Sequence, residues 1–420
     1  MFIEPEGRGD VGRHGGASAS LRRALALEGP PLPKAHLLGT HRAAGVAEML
    51  ARVAPHLAPC GIARVSRITG FDRTGLEVFT VARPNARGLS VANGKGLDRA
   101  TARLSGVMEA LERWHAEHVL LPLRFGTAED VAALGAPVVV AGLPRARTGD
   151  PGLTFWAPAL DVAAGTPARV PFELVHCAWV AAGPAPGVFE ATTDGLASGS
   201  HPVEAALHGL CELIETDACA LFEGLPPEAR AARRLDPATI DDPGLRELCG
   251  RLAAQGFALA LWDATSDIGA PVLLAVLVDE RDPRTPAGFG AGCHPDRAVA
   301  TFRAISEAAQ TRVIAMTGTR DDLGPVLFAG ATGLRFRWAL EAGGAGRRDW
   351  RAIPSFASDC LRADLAALVA RVAAVGAGPV LAVDLGRLPG LSVIRVLVPG
   401  LEPEAGLPGR RAARPEAHLP

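Results

Sequence analysis

The chain has 420 residues, with 43 Lys plus Arg against 45 Asp plus Glu, a formal net charge of -2 and 48% hydrophobic residues, which is enough for one large α/β unit or two smaller domains. That balance, with a pI of about 6.6, gives no basis for a nucleic-acid-binding or membrane-binding surface. No apolar run approaches the ~20 residues of a membrane helix, and the opening MFIEPEGRGDVGRHGG lacks the apolar stretch of a secretory signal, so the expected location is the cytoplasm.

Residues 1–35, rich in Gly, Ser, Arg and Pro, read as a flexible segment, 36–402 as the folded region, and 403–420 as a flexible polar tail. Helical periodicity falls near 42–58, 98–121, 202–222, 243–255, 296–316 and 360–374. Apolar, β-branched runs fall near 62–69, 77–82, 136–141, 257–263, 271–278, 378–384 and 392–398. This alternation predicts a mixed α/β (α+β) fold. The stretch GLPRARTGDPG at 142–152 is the candidate loop between two lobes. The seven cysteines (60, 177, 211, 219, 249, 293 and 360) are odd in number and include no CxxC. They predict neither a disulfide framework nor a thiolate zinc site, but reduced and mostly buried thiols.

Of the 43 basic residues only Lys34 and Lys95 are lysines. A lysine kept in so arginine-rich a chain points to a need for a compact ammonium. Lys95 stands in NGKG, directly before a predicted helix.

Three helical segments share one register: GLDRATARLSGVMEALERWHAE, GSHPVEAALHGLCELIETDACA and CHPDRAVATFRAISEAAQTRVI. Positions p, p+4 and p+7 are Ser105, Glu109 and Glu112 in the first, His208, Glu212 and Glu215 in the second, and Arg303, Glu307 and Gln310 in the third. At about 100° per residue each trio spans a sector of roughly 60°. An apolar stripe lies one step back: Leu104, Met108 and Leu111; Leu207, Cys211 and Ile214; and, more weakly, Phe302, Ser306 and Ala309. Polar stripes beside apolar ones place carboxylates at the edge of a core, as a cleft requires.

A single Glu pair on a helix ordinarily marks a solvated face. Here Glu112, Glu212, Glu215 and Glu307 lack a basic residue four positions on, and only Glu109 has one, Arg113. Five convergent carboxylates would repel one another unless hard divalent cations neutralise them. Mg2+ takes one or two carboxylates and completes its shell with phosphate oxygens and water, so a nucleotide triphosphate fits the cluster. Gly94, Lys95 and Gly96 before the first helix, and TDGLASGS (193–200) before the second, are candidate phosphate loops. The Walker A pattern is absent, and an ordinary N-capping turn is the alternative for the second loop.

These segments resemble the YcaO family. NGKG with SGVMEALERWHAE resembles its Ser-x3-Glu-x2-Glu-Arg motif. DGLASGS with HGLCELIETDA resembles the second motif, and GAGCHPDRAVATFRAISEAAQTR with GTRDD the third. WDATSDIGAPV (262–272) and VLVPGLE (396–402) resemble further strands of the family, so the likeness runs over about residues 40–402. The stretch 65–96 and the SGVME helix are similar to the branch encoded beside TfuA proteins. The ending RPEAHLP does not match the PxPxP tail of many azoline-forming members.

The resemblance implies a fold of repeated helix-plus-strand units around a nucleotide cleft, and ATP- and Mg2+-dependent phosphorylation of a peptide amide oxygen. It implies thioamide formation with a TfuA-like partner and a sulfide donor, on a precursor peptide or protein, by a homodimer. An azoline-forming cyclodehydratase acting on Cys, Ser or Thr is the alternative. By motif matching, Lys95, Ser105 and Arg113 contact phosphates or ribose. Glu109, Glu112, Glu212, Glu215 and Glu307 hold Mg2+, and Gln310 completes the nucleotide shell. The family's Glu-Arg-Asp-Ala is here Glu215-Thr216-Asp217-Ala218, so Arg312 or Arg320 is expected to replace the missing arginine. An inactive peptide-binding scaffold is a third reading. His115 and His118, one turn apart, are expected to pack rather than bind metal, Cys211 and Cys219 to be inert, and Asp263 and Asp267 to shape a turn after Trp262.

Overall fold

The computed structural model describes residues 19–179, 187–282, 285–318 and 347–401. Its recurring unit is a strand poor in side chains laid against a long helix. After helix α1 (Val46–Val53), strands β1 (Arg64–Arg67), β2 (Glu77–Ala82) and β3 (Val91–Gly96) form an antiparallel sheet in that order. Helix α2 (Arg99–Glu117) then folds back on β3. Strand β3 is the NGKG segment, read from the sequence as a loop. It is a strand because it pairs with β2 along its whole length, Glu77 opposite Gly96 through Ala82 opposite Val91, and it is glycine-rich because α2 approaches too closely for side chains: a Cβ on Gly94 would sit 2.1 Å from the Gly106 nitrogen.

A larger antiparallel sheet runs in the order β4 (Arg124–Gly126), β5 (Thr154–Asp161), β13 (Leu381–Asp384), β14 (Ser392–Leu397), β7 (Leu196–Gly199), with β6 (Thr166–Pro171) also paired to β5. A short helix α3 (Ala128–Ala132) follows β4. Strand β7 feeds α4 (Pro202–Glu223), which packs back on β7 and β14. After the short α5 (Pro227–Ala232), β8 (Leu235–Asp236) and α6 (Pro243–Ala254), the third unit is a meander of β9 (Phe257–Asp263), β10 (Val272–Asp279) and β11 (Gly288–Cys293). It is covered by α7 (Arg297–Thr317). Here Gly288, Gly290 and Gly292 alternate along β11, so all three face the helix. A Cβ on each would lie 2.0–2.3 Å from the carbonyl oxygens of Ala308, Ala304 and Ala300. Strand β12 (Arg348–Asp349) pairs in parallel with β8, and α8 (Leu361–Ala374) packs on α4.

One core cluster joins α4, α8 and β9–β11 through Leu210, Ile214, Trp262, Leu274 and Leu368. A second joins α2 to the large sheet through Leu111, Val170, Leu381 and Val393. A third seats α6 and α7 on the meander through Leu252, Leu273 and Ile305. Each such fully buried aliphatic side chain contributes about 1.5–3 kcal/mol.

Three sequence expectations are corrected. Residues 19–35 are not a loose leader: 19–25 are helical, and Leu21 and Leu25 lie in the core. The apolar run 136–141 forms no strand; it touches the sheet through one bridge, Val138 to Arg169. TDGLASGS contains a strand, β7, and its helix is capped by His201, whose Nδ1 accepts from the Val203 N–H. Residues 403–420 lie outside the described residues. All seven cysteines are free thiols, and no helix among the described residues is long and apolar enough to cross a membrane.

Candidate active site: a ring of three helices

The nine positions p, p+4 and p+7 are all half-buried, while Ala102, Ala110, Leu207, Ile214, Ala304 and Ala308 on the same helices are fully buried. The polar stripes therefore line a recess between the three units, as the shared register predicts. Each helix reaches across to the strand of the next unit. Glu112 of α2 accepts from Ser198 Oγ of β7 at 2.5 Å. Glu215 of α4 accepts from the Cys293 N–H of β11 at 2.7 Å. Glu307 of α7 takes the Lys95 ammonium of β3 at 2.5 Å. First to second, second to third and third to first, these contacts close a ring.

The remaining carboxylates are tied within their own units. Glu109 pairs with Arg113 at 2.5 Å and accepts from the Asn93 N–H at 3.4 Å. Glu212 accepts from the Gly195 N–H at 3.3 Å. Arg113 also donates to the Val91 carbonyl at 2.8 Å, and the Lys95 N–H donates to Ser105 Oγ at 3.4 Å. Ser105, Glu109, Glu112, Arg113 and Lys95 are thus gathered with Glu212, Glu215 and Glu307, and Gln310 lies one turn beyond Glu307 on the same stripe.

The electrostatics of the ring are unbalanced. Burial pushes the Glu112 carboxyl up to about 7, with Glu109 adding repulsion against the Ser198 hydrogen bond. Glu212 is held well above the usual carboxylate range by burial, then by Asp194, Glu112 and Glu215. Glu215 is raised by burial and by Glu307, against the pull of Arg303 and Lys95. An oxygen-rich recess whose acids resist ionising is a site that a hard divalent cation would stabilise. Among the described residues no group of three or more His, Cys, Asp or Glu forms a ready-made metal nest. This donor set fits Mg2+ bound by one or two carboxylates and completed by phosphate.

Several sequence-derived candidates move. The N–H groups at the start of α2 are not a phosphate cradle, because Asp98 caps them through Ala100 and Thr101. Arg312 does not stand in for the missing arginine. It is fully buried beneath the third unit, with Nε on Asp72 at 3.0 Å and its other nitrogens on Asp72, Thr285 and the Pro286 carbonyl. Arg320 lies outside the described residues. Thr216 is half-buried on α4. His115 bonds the Leu111 carbonyl at 2.6 Å and His118 stacks on Trp114, both packing roles. Asp263 closes its turn by accepting from the Thr265 N–H. Sequence reasoning missed Ser198, which no periodicity singles out, and Arg42. Arg42 touches His208 from a loop far away in sequence.

Known proteins share this sequence pattern and fold. A sequence profile of the YcaO cyclodehydratase family, described as ATP- and Mg2+-binding, matches residues 93–402. A Rhizobium leguminosarum bv. trifolii protein, known by its place in the tfuA 3′ region, is 36% identical over 375 residues, covering 86% of this chain and 88% of its own. A Methanothermobacter thermautotrophicus protein is 32% identical over 380 residues, covering 84% and 93%. Among solved structures, YcaO from Methanopyrus kandleri bound with AMPPCP and Mg2+ superposes with a TM-score of 0.69 at 25% identity, covering 88% of this chain and 95% of that one. A heterocyclase in complex with substrate and cofactor shares the fold, with a TM-score of 0.75 at 20% identity. The match covers 92% of this chain and 56% of the heterocyclase. The chain belongs to the YcaO family of ATP- and Mg2+-binding, peptide-modifying enzymes.

Proposed function

We propose that the protein activates a peptide backbone amide by ATP-dependent O-phosphorylation and, with a TfuA-like partner delivering sulfide, converts it to a thioamide in the cytoplasm. The observation that carries the reading is the closed ring of Glu112, Glu215 and Glu307 across the three units, with Glu109 and Glu212 beside it. In the proposed site these five carboxylates hold Mg2+, which neutralises phosphate charge. Lys95, Ser105 and Arg113 orient the phosphates or ribose, and Gln310 completes the nucleotide shell. Sulfide adds to the amide carbon, and the resulting oxyanion takes the γ-phosphoryl group as ADP departs. Loss of phosphate then breaks the C–O bond, and loss of a proton leaves C=S.

The thioamide product is supported by the similarity to the protein of the tfuA 3′ region. The substrate is a precursor peptide or protein, and the working form is a homodimer. Cyclodehydration of Cys, Ser or Thr is the second reading, favoured by the cyclodehydratase description of the family.

The test incubates the protein with MgATP, sulfide, its TfuA-like partner and peptides encoded nearby, followed by mass spectrometry and phosphate release. Oxygen-to-sulfur exchange with ATP turnover supports the proposal. Loss of water without sulfur would replace it with azoline formation. Nucleotide binding without any turnover would leave a peptide-binding scaffold.

A further inference from the structure

Strand β14 carries one charge among apolar neighbours. Ile394 and Val396 face the first core cluster, and Val393 and Leu397 face the second. Arg395 alternates with them onto the face of Val393 and Leu397 and is 1% exposed. Its register partners on the adjoining strands are Val383 and Leu196, both buried and apolar. Arg395 Nη2 donates to the Thr192 carbonyl at 2.8 Å. Its Nε and Nη1 are buried without a hydrogen-bond partner. A guanidinium only donates and keeps its charge, so burying it with two nitrogens open is costly unless an anion completes it.

Cys177 converges on the same point. Its thiol, 2% exposed, reaches the Thr192 carbonyl at 3.8 Å, so sulfur and guanidinium meet around one oxygen. The Cys177 N–H donates to the Ala116 carbonyl of α2 at 2.9 Å, which fixes the residue in place. Burial raises the Cys177 thiol, against the pull of Arg395 and Arg113. It therefore faces Arg395 as a neutral, polarisable S–H and not as a counter-ion.

One loop ties this pair to the carboxylate ring. Three residues after Thr192, the Gly195 N–H donates to Glu212 at 3.3 Å, and the Gly195 carbonyl accepts from the Val396 N–H, next to Arg395, at 2.7 Å. Gly195 has φ of 77°, and a Cβ there would lie 2.4 Å from the Val396 carbonyl oxygen, so the loop is pressed onto β14. Asp194 and Glu212 supply a negative field here, which disfavours a multiply charged anion. Apolar flanks and a thiol wall suit a small, soft, weakly hydrated one.

We infer that Arg395 and Cys177, converging on the Thr192 carbonyl, form a subsite for a small monovalent anion, and that this anion is hydrosulfide, held one loop away from the carboxylate ring. The choice of hydrosulfide over chloride rests on the proposed thioamide chemistry, in which hydrosulfide is the nucleophile. Sulfur enters and leaves the subsite in the same oxidation state, so no oxidant or reductant is needed. Arg395 and Cys177 act as binding residues, and the bond to the amide carbon forms only after the anion moves to the ring.

The test titrates the full-length protein with sodium hydrosulfide by anaerobic calorimetry, in chloride-free buffer at a mildly alkaline pH. Wild type, Arg395→Gln, Arg395→Lys and Cys177→Ala are compared, with sodium chloride as competitor and thermal melts as the folding control. Arg395→Gln is expected to weaken hydrosulfide by about tenfold or more, the scale of a lost charge-assisted hydrogen bond, while MgATP affinity stays within about twofold of wild type. Arg395→Lys should keep part of the affinity, and it decides the matter if Arg395→Gln melts early. Cys177→Ala should weaken hydrosulfide more than chloride, because the soft wall is lost. Folded Arg395 variants that bind hydrosulfide as wild type does, or a folded wild type that binds none, would overturn the subsite. Chloride bound as tightly as hydrosulfide would overturn the assignment to sulfide. Hydrosulfide held through Arg395 by a protein that places no sulfur in any peptide would overturn the thioamide reading and leave the subsite standing. Thioamidation by Arg395→Gln with an unchanged KM for sulfide would do the reverse.

Discussion

Glu112 and Glu117 lie five residues apart on α2, and their surroundings are opposites. Glu117 is buried against Arg83 at 2.5 Å, and Arg83 also donates to the carbonyls of Cys60 and Ala110. Glu112 faces the recess with one hydroxyl donor and another carboxylate nearby. Arg312 and Arg303 on α7 repeat the contrast: one has its donors taken up by Asp72, Thr285 and a carbonyl, and the other, among the described residues, makes one hydrogen-bond contact, to the His208 imidazole. Charges that meet their partners inside the chain hold the fold. Charges left short of partners, and gathered in one recess, are set for a ligand.

The largest effect should come from breaking the satisfied side of this comparison. Glu117→Ala leaves Arg83 buried without its acid and is expected to cost about 3–5 kcal/mol in urea denaturation, with nucleotide affinity unchanged in the folded fraction. Glu212→Gln should do the reverse. The apo protein should keep its stability within about 1 kcal/mol, because the substitution removes repulsion rather than a pair. Its MgATP affinity should fall roughly 100-fold, the scale on which metal-site residues matter.

The three-helix register, and with it Glu109, Glu112, Glu212, Glu215 and Glu307, was legible because helical period and charge act locally. The glycine strands were not. Gly94 and the alternating Gly288, Gly290 and Gly292 show no apolar alternation, and their reason for being glycine is the helix that packs on them. Strand β6 was hidden by its prolines, Pro167 and Pro171. Arg312 was misplaced because its partner Asp72 is 240 residues away, and a separation of 166 residues from His208 hid Arg42.

A smaller effect is expected from Lys95→Met, which opens the third contact of the ring. MgATP affinity should drop about tenfold, and Lys95→Arg should recover only part of it, because a planar fork replaces a point charge.

The smallest effect is on pH dependence. Glu112 has a folded pKa raised from 4.5 to about 7, and Glu212 and Glu215 are raised in the same direction. The folded apo protein then binds more protons than the unfolded chain between these limits. The stability these groups contribute is present below about pH 4.5 and is lost as pH rises through 7. Urea midpoints of the apo protein, corrected with the Glu112→Gln variant, should fall over this interval. Mg2+-nucleotide should flatten the decline by drawing the protons off. A midpoint that rose with pH in the wild type and not in the variant would contradict the assignment.

The most direct test of the ring is calorimetric titration with ATP, with and without Mg2+, on wild type and on the Glu212→Ala, Glu215→Ala double variant. The account predicts Mg2+-dependent binding in wild type, with a proton release that grows as pH falls below 7, and its loss in a double variant that melts normally. Equal ATP affinity in the two proteins, or binding indifferent to Mg2+, would contradict it.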